Sequence, residues 1–334
     1  SHLTALTKQL KIIWDVTAHE LIISHTLAPF YLPFLQTEHS KQIIISMLSN
    51  QGGDIHTRAG ISASSVPRPQ FFRYCPICVT TQFDVLGEPY WNRINQISGV
   101  NCCIKHRSRL VASELPFPPK QKHLYQAAAK TRLDRLAIPC DITNKEILLI
   151  HRFQDLLDLQ SVKGHSSYQW TIFYQKLAMR LGFMSGSRVD HAGVREKLCG
   201  DWKVTDLEPH FVNNSENNWL INIFRKHRKA FHPLRHLLVW CSLLPDKSVR
   251  EIFREVDRQP QKESKITKVC TISPDSNNAL TKSQRKLWLQ LIKANQGAGV
   301  KKLRSMSPGG ALYAWLYRND RTWLMANRPY RKEC

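Results

Sequence analysis

A chain of 334 residues has room for two or three domains with cores of their own. Its 42% apolar content excludes a disordered tail, and no segment approaches the ~20 consecutive apolar residues that a bilayer span needs. With 48 Lys and Arg against 26 Asp and Glu, the formal charge of +22 favours an anionic partner, DNA first, with RNA and membrane surfaces as rivals.

The opening residues, 1–66, carry apolar side chains at helical spacing (Leu6, Leu10, Ile13, Trp14, then Leu21 and Ile22) and predict packed helices. The chain starts at Ser1-His2-Leu3 without an initiator Met, so further residues are expected ahead of it. The greasiest run, Leu27 to Leu35, is broken by Pro29 and Pro33. His19 and His25 superficially suggest a metalloprotease pair. Their spacing of six puts them on different helix faces, and they read as ordinary helix residues. No signal peptide is visible, and nine scattered Cys without a disulfide framework suit a reducing bacterial cytoplasm, close to the nucleoid.

Residues 67–112 hold the Cys and His. Cys75-Pro76-Ile77-Cys78 is a C-x2-C turn, and Cys103-Ile104-Lys105-His106 a C-x2-H turn. Two residues between ligands let a tight turn aim both side chains at one ion, and two such turns supply the four ligands of tetrahedral Zn²⁺. Cys102 is an alternative to Cys103, at the cost of a C-x3-H spacing. Four protein ligands leave no open position for water, and no H-x-E precedes the C-x2-C. The zinc is therefore expected to be structural, and a zinc-dependent nuclease or hydrolase is disfavoured.

Residues 113–165 begin with the linker signal Leu115-Pro116-Phe117-Pro118-Pro119 and continue into a helix over 145–160. Residues 166–253 form a first helix-turn-helix-like region. Tyr168–Leu181 and Asp190–Leu198 predict helices joined by Ser185-Gly186-Ser187, with Arg188, His191 and Arg195 as candidate DNA contacts. Residues 219–231, laid on a helix, put Trp219, Leu220, Ile223, Phe224, Ala230 and Phe231 on one face. Arg225, Arg228 and Lys229 fall on the other face, with Lys226 at the flank, and His227 lies within the apolar stripe as a hydrogen-bonded core residue. No acidic residue occurs between Glu216 and Asp246, which favours phosphate contact over a solvated face. The next helix, Leu234–Leu244 after Pro233, should expose Arg235 and His236 near its start.

Residues 256–283 read as a polar linker, and 284–334 as a second helix-turn-helix-like unit. Helix Ser283–Asn295 is followed by Gly297, Gly299 and a short basic helix carrying Lys301, Lys302 and Arg304. The turn Ser307-Pro308-Gly309-Gly310 then leads into helix Ala311–Met325. Leu312, Trp315, Leu316 and Trp323 should face inward, and Tyr313, Tyr317, Arg318 and Arg321 should be available to DNA. The fold class expected is mainly α: a multi-domain helical protein with a small structural zinc finger of Cys3His type, two helix-turn-helix-like units, and at most a small hairpin near the Cys cluster.

Phe72-Arg73-Tyr74-Cys75-Pro76-Ile77-Cys78, Gly87-Glu88-Pro89-Tyr90-Trp91 and Cys103-Ile104-Lys105-His106 resemble the RYCPxC, GExxW and CxxH pattern of the TnsD/TniQ target-selector family of Tn7-like transposons. The stretches 219–231 and 312–321 resemble the TnsD branch, while the family's usual N-terminal start and its longer C-terminal part lie outside this sequence. The resemblance implies a selector that binds double-stranded DNA at a chromosomal attachment site and recruits the AAA+ ATPase TnsC, and through it the transposase. The alternative it implies is a TniQ-like adaptor on an RNA-guided CRISPR effector complex. No G-x4-G-K-[ST] occurs in the chain, so ATP chemistry is assigned to the partner and no enzyme activity or membrane partner is expected.

Overall fold

A computed structural model describes residues 3–49, 55–61, 64–118, 126–212, 219–261 and 274–329. The chain divides into two compact units, 1–262 and 263–334. No described helix is long and apolar enough to cross a membrane.

The first unit begins with helices α1 (Leu3–Leu10), α2 (Ala18–His25), α3 (Ala28–Tyr31), α4 (Thr37–Leu48) and α5 (Ile55–Arg58). Thr17 and Glu20 form a reciprocal cap at the start of α2, each side chain bonding the other residue's backbone N–H. The helical phase expected through Ile13 stops early: α1 ends at Leu10, Ile13 is 86% exposed, and Trp14 packs edge-on against His25 at 5.1 Å.

Strand β1 (Phe71–Tyr74) leads into α6 (Pro76–Leu86), followed by β2 (Cys102–Cys103), β3 (Ser108–Arg109) and β4 (Val111–Pro116). β1 pairs antiparallel with β4, and β2 with β3. More strand forms than the single hairpin expected near the Cys cluster. Gly87 closes α6 at φ 76°, a left-handed turn that glycine adopts without steric cost.

Five helices and a hairpin follow: α7 (Asn144–Leu157), α8 (Ser167–Arg180), the pair β5 (Met184–Ser185) and β6 (Arg188–Val189), α9 (His191–Trp202), α10 (Pro209–Val212) and α11 (Trp219–Ile223). The unit closes with α12 (Pro233–Leu243) and α13 (Val249–Asp257). Thr143 with Glu146, Ser166 with Gln169 and Ser248 with Glu251 cap α7, α8 and α13 in the same reciprocal way. One apolar core draws on Phe30 and Phe34, on Ile97 and Val100, on Leu149 and Phe153, and on α8, α9, α12 and α13. Arg152, 2% exposed, reaches across it to donate to the carbonyls of Leu244, Pro245 and Lys247 at 2.5, 3.2 and 2.7 Å. A cation there satisfies the open carbonyls just beyond the C-terminal end of α12.

Two expectations for the basic region are corrected. Residues 219–231 do not form one helix, because α11 stops at Ile223. In a continued helix the Ile223 carbonyl would take the His227 backbone N–H. Instead the His227 ring takes that carbonyl through Nε2 at 2.7 Å, and the His227 N–H donates to Thr171 Oγ1 at 2.9 Å. His227 is a buried, hydrogen-bonded residue as read from sequence, and it also ends the helix. Ala230, expected on the apolar face, is exposed.

The second correction concerns α12, which is buried on almost every side, so His236 is 1% exposed rather than at the surface. Trp240 Nε1 donates to the Tyr174 hydroxyl at 3.0 Å, and that hydroxyl donates to His236 Nδ1 at 2.8 Å. Burial drives the His236 pKa well below its ordinary value, so the ring is neutral in the core. Arg235 is also partly drawn in. It donates to Ser65 Oγ at 2.5 Å, its guanidinium lies 5.4 Å from the Trp219 ring centre, and burial lowers its pKa to about 10.

The second unit comprises α14 (Pro274–Ala294), α15 (Val300–Ser305), α16 (Gly309–Asn319) and α17 (Arg321–Ala326). Trp288, Leu303, Leu312, Leu316 and Leu324 are its buried centre. α14 begins at Pro274, ahead of the expected Ser283. The single helix expected over Ala311–Met325 is broken at Asp320, where φ is −153°, and Asp320 accepts from Arg285 Nε at 2.6 Å. Gly309 is required by close packing, since a Cβ there would run into the Leu303 carbonyl oxygen.

Candidate metal centre and nucleic-acid interface

Cys75 sits at the N-cap of α6, Pro76 fixes the first helical φ, and Cys78 follows on the first turn. Cys103 ends β2, and His106 lies in the turn that returns the chain into β3. Arg107 closes that turn at φ 45°, and its carbonyl is held by the Cys140 N–H at 2.9 Å. The four ligand atoms all lie within 4.8 Å of one another. His106 Nδ1 is 3.5 Å from Cys75 Sγ, 3.3 Å from Cys78 Sγ and 3.7 Å from Cys103 Sγ, and the Cys78 and Cys103 sulfurs are 3.7 Å apart. A tetrahedron with metal–sulfur bonds of about 2.3 Å and a metal–nitrogen bond of about 2.0 Å has edges of roughly 3.5–3.8 Å. The donor set therefore fits one metal ion, and it is the one such cluster among the described residues.

Cys102 is not a ligand. Successive strand residues point to opposite faces, so Cys102 is directed away from the cluster and joins Cys140 in a disulfide. This corrects the reading of the cysteines as free of disulfides.

Residues in and around these motifs build the cluster's support. Arg73 donates to the Ile97 carbonyl at 2.8 Å, while Gln96 bonds both the N–H and the carbonyl of Arg73. Trp91 stacks on Phe72 at 4.9 Å and donates to the Gln126 carbonyl at 3.0 Å. Arg93 ties the Ile23 and Thr26 carbonyls at 3.0 and 2.8 Å, joining this segment to α2. Arg109 pairs with Asp206 at 3.1 Å, joining it to the loop after α9.

A groove of about 870 Å³ opens elsewhere on the first unit. It is lined by α8 (Ile172, Gln175, Lys176, Met179), by the β5–β6 hairpin with His191, and by Phe224, Arg225 and Lys226. Four sequence candidates, Arg188, His191, Arg225 and Lys226, thus meet in one place, and no carboxylate among the described residues lines it. Nearby Asp190 is occupied as the cap of α9, accepting from the Ala192 and Gly193 N–H groups. Burial, then the Arg225 charge, lowers the His191 pKa, with Asp190 opposing, so this ring is neutral near neutral pH. Arg228 and Lys229 are exposed farther along the same segment, and Arg195 is partly buried on α9. His236 does not reach any surface. Lys176 escaped the sequence reading because only the fold brings α8 to this groove.

In the second unit Lys301, Lys302 and Arg304 are exposed on α15. Arg304 lies over the Tyr313 ring at 4.7 Å and Arg321 over Tyr317 at 4.9 Å, and the two tyrosines stack at 6.1 Å. Tyr313 is half-buried against Trp288 rather than fully outward. The Arg318 side chain lies outside the described residues. Lys282, Lys286 and Lys293 line a separate groove with Trp323. Their spacing of four and seven places them on one helix face, a signal the sequence carried but that the reading of exposed residues on α15 and α16 passed over.

Residues 1–110 match the TniQ family model, which takes in all four metal-ligand candidates. Residues 149–271 and 254–334 match the model described as Tn7-like transposition protein D. The chain belongs to the TnsD family of Tn7-like transposition proteins. Over 339 aligned positions and its full length it is 33% identical to the transposon Tn7 transposition protein TnsD of Escherichia coli, and it spans 66% of that relative.

Proposed function

We propose that this chain is a DNA-reading target selector: it binds double-stranded DNA at an attachment site and recruits a TnsC-type AAA+ ATPase, and hence the transposase, without catalysing a reaction itself. The observation that carries the DNA reading is the groove in which Lys176, Arg188, Arg225 and Lys226 converge with no carboxylate among the described lining residues. Four cations at one concave surface suit a phosphodiester backbone, where each contact releases condensed counterions. The exposed Lys301, Lys302 and Arg304 of α15 and Arg321 of α17 supply a second contact surface, with α15 and α16 as a helix-turn-helix and Tyr317 on its second helix.

In this reading the Cys3His cluster holds Zn²⁺. A bound ion would supply folding energy to a segment of short strands and little apolar core. Its four protein ligands leave no position for a reacting water, which supports a structural role.

The test is a salt titration of DNA binding. Replacing Lys176, Arg225 and Lys226 together by Ala should weaken binding to every duplex and reduce the slope of log affinity against log salt by about 0.9 for each lost phosphate contact. An unchanged slope overturns the assignment. Unchanged DNA binding together with lost capture of the ATPase would assign these residues to protein contact, as expected of an adaptor on an RNA-guided complex.

A further inference from the structure

The hairpin that borders the basic groove is built unlike the rest of that surface. Met184 pairs with Val189 and Ser185 with Arg188, leaving Gly186-Ser187 as a two-residue turn. Gly186 stands at φ 59°, the left-handed conformation such turns need. Its base is fixed: Asp190 N–H donates to the Phe183 carbonyl at 3.1 Å, and Phe183, Met184 and Val189 pack on the core. Its end is free, with Ser185, Gly186, Ser187 and Arg188 all exposed. The projecting part is therefore narrow, short-chained and uncharged except for one arginine.

A duplex strand seated in the groove has the major groove on one side and the minor groove on the other. The segment bearing Arg225, Lys226, Arg228 and Lys229 presents four long cations and is too broad for an opening of about 6 Å. The Ser-Gly-Ser tip is not, and a lone arginine beside it matches the side chain that a narrow, electronegative minor groove attracts. We propose that the hairpin Met184–Val189 enters the DNA minor groove and that Arg188 reads its acceptor edge, favouring A·T pairs over G·C pairs. The proposal rests on the groove being a phosphate site. It adds the groove of the duplex and the residue that discriminates.

Inosine separates the two DNA grooves chemically. An I·C pair lacks the guanine 2-amino group, so it resembles A·T in the minor groove and G·C in the major groove. A labelled short duplex of mixed sequence, bound by the full chain, would be competed with poly(dA-dT), poly(dI-dC) and poly(dG-dC). The parent should rank poly(dI-dC) with poly(dA-dT), each about fivefold or more stronger than poly(dG-dC). Arg188→Ala should bring the three competitors to near parity. Arg188→Lys should keep the salt slope and lose part of the ranking. Poly(dI-dC) ranking with poly(dG-dC), or a ranking that survives in Arg188→Ala, overturns the proposal while the groove stays a phosphate site. An equal loss on all three competitors makes Arg188 a backbone contact and also overturns it. If the Lys176, Arg225 and Lys226 triple variant leaves affinity and salt slope intact, the phosphate reading itself has failed, and the hairpin proposal falls with it. Matching metal content and unfolding curves in each variant separate these results from misfolding.

Discussion

The two units present cations by different means. In the second, Arg304 of α15 and Arg321 of α17 lie over the Tyr313 and Tyr317 rings of the helix between them, α16. In the first, Arg225 and Lys226 lie on irregular chain that exists because the buried His227 ring takes the Ile223 carbonyl and ends α11. The first unit's basic surface therefore depends on its polar core, whereas the second unit's depends on helix geometry and one tight crossing. The histidines follow this division, since every one of the 14 lies at or before His236 and none occurs in residues 263–334.

The sharpest way to break this comparison is to remove the metal. Cys75→Ser with Cys103→Ser should abolish metal binding and cost the first unit on the order of 5 kcal/mol or more, because metal-binding energy is folding energy in a segment without its own core. The second unit should keep its unfolding transition. Elemental analysis with calorimetry checks this, and full zinc retention in the double variant would defeat the ligand assignment.

The reciprocal change is Gly309→Ala. The added Cβ meets the Leu303 oxygen, a backbone atom that cannot rotate away. A loss of about 3 kcal/mol is expected in the second unit, with metal content of the first unchanged. Urea unfolding followed by tryptophan fluorescence would show it, and a second unit of undiminished stability would mean that α15 and α16 do not cross so closely.

Acid sharpens the comparison with a smaller effect per residue. Burial lowers the pKa of His165, of His227 to about 4, of His232 to about 3, and of His236. The unfolded chain, with histidines near 6.5, then takes up protons first as pH falls. Stability from these groups is complete above about pH 6.5 and is lost progressively below it, down to about pH 4 for His227 and about pH 3 for His232. At about pH 5 the loss is roughly 2 kcal/mol each for His227 and His232. It should appear in the first unit and not in the second. Equal acid sensitivity in both units would contradict it.

The local features were legible in the chain itself. Two residues between ligands fix a tight turn, so Cys75, Cys78, Cys103 and His106 could be grouped from spacing. Ser or Thr followed three residues later by Glu or Gln marks the starts of α2, α7, α8 and α13, because the cap is made within one turn. His227 could be placed in the core from its position in an apolar stripe. Tertiary packing decided what depends on distant partners. Thr171 and the Ile223 carbonyl compete for His227 and halt a helix that periodicity alone would continue. The surroundings of α12 bury His236, since a pattern of apolar residues identifies one face of a helix but not how many neighbours enclose it. Asp320 breaks the last helix to meet Arg285, 35 positions away. The basic groove gathers Lys176, Arg188 and Arg225 from three segments, and a one-dimensional pattern holds no distance between segments that only a shared core brings together.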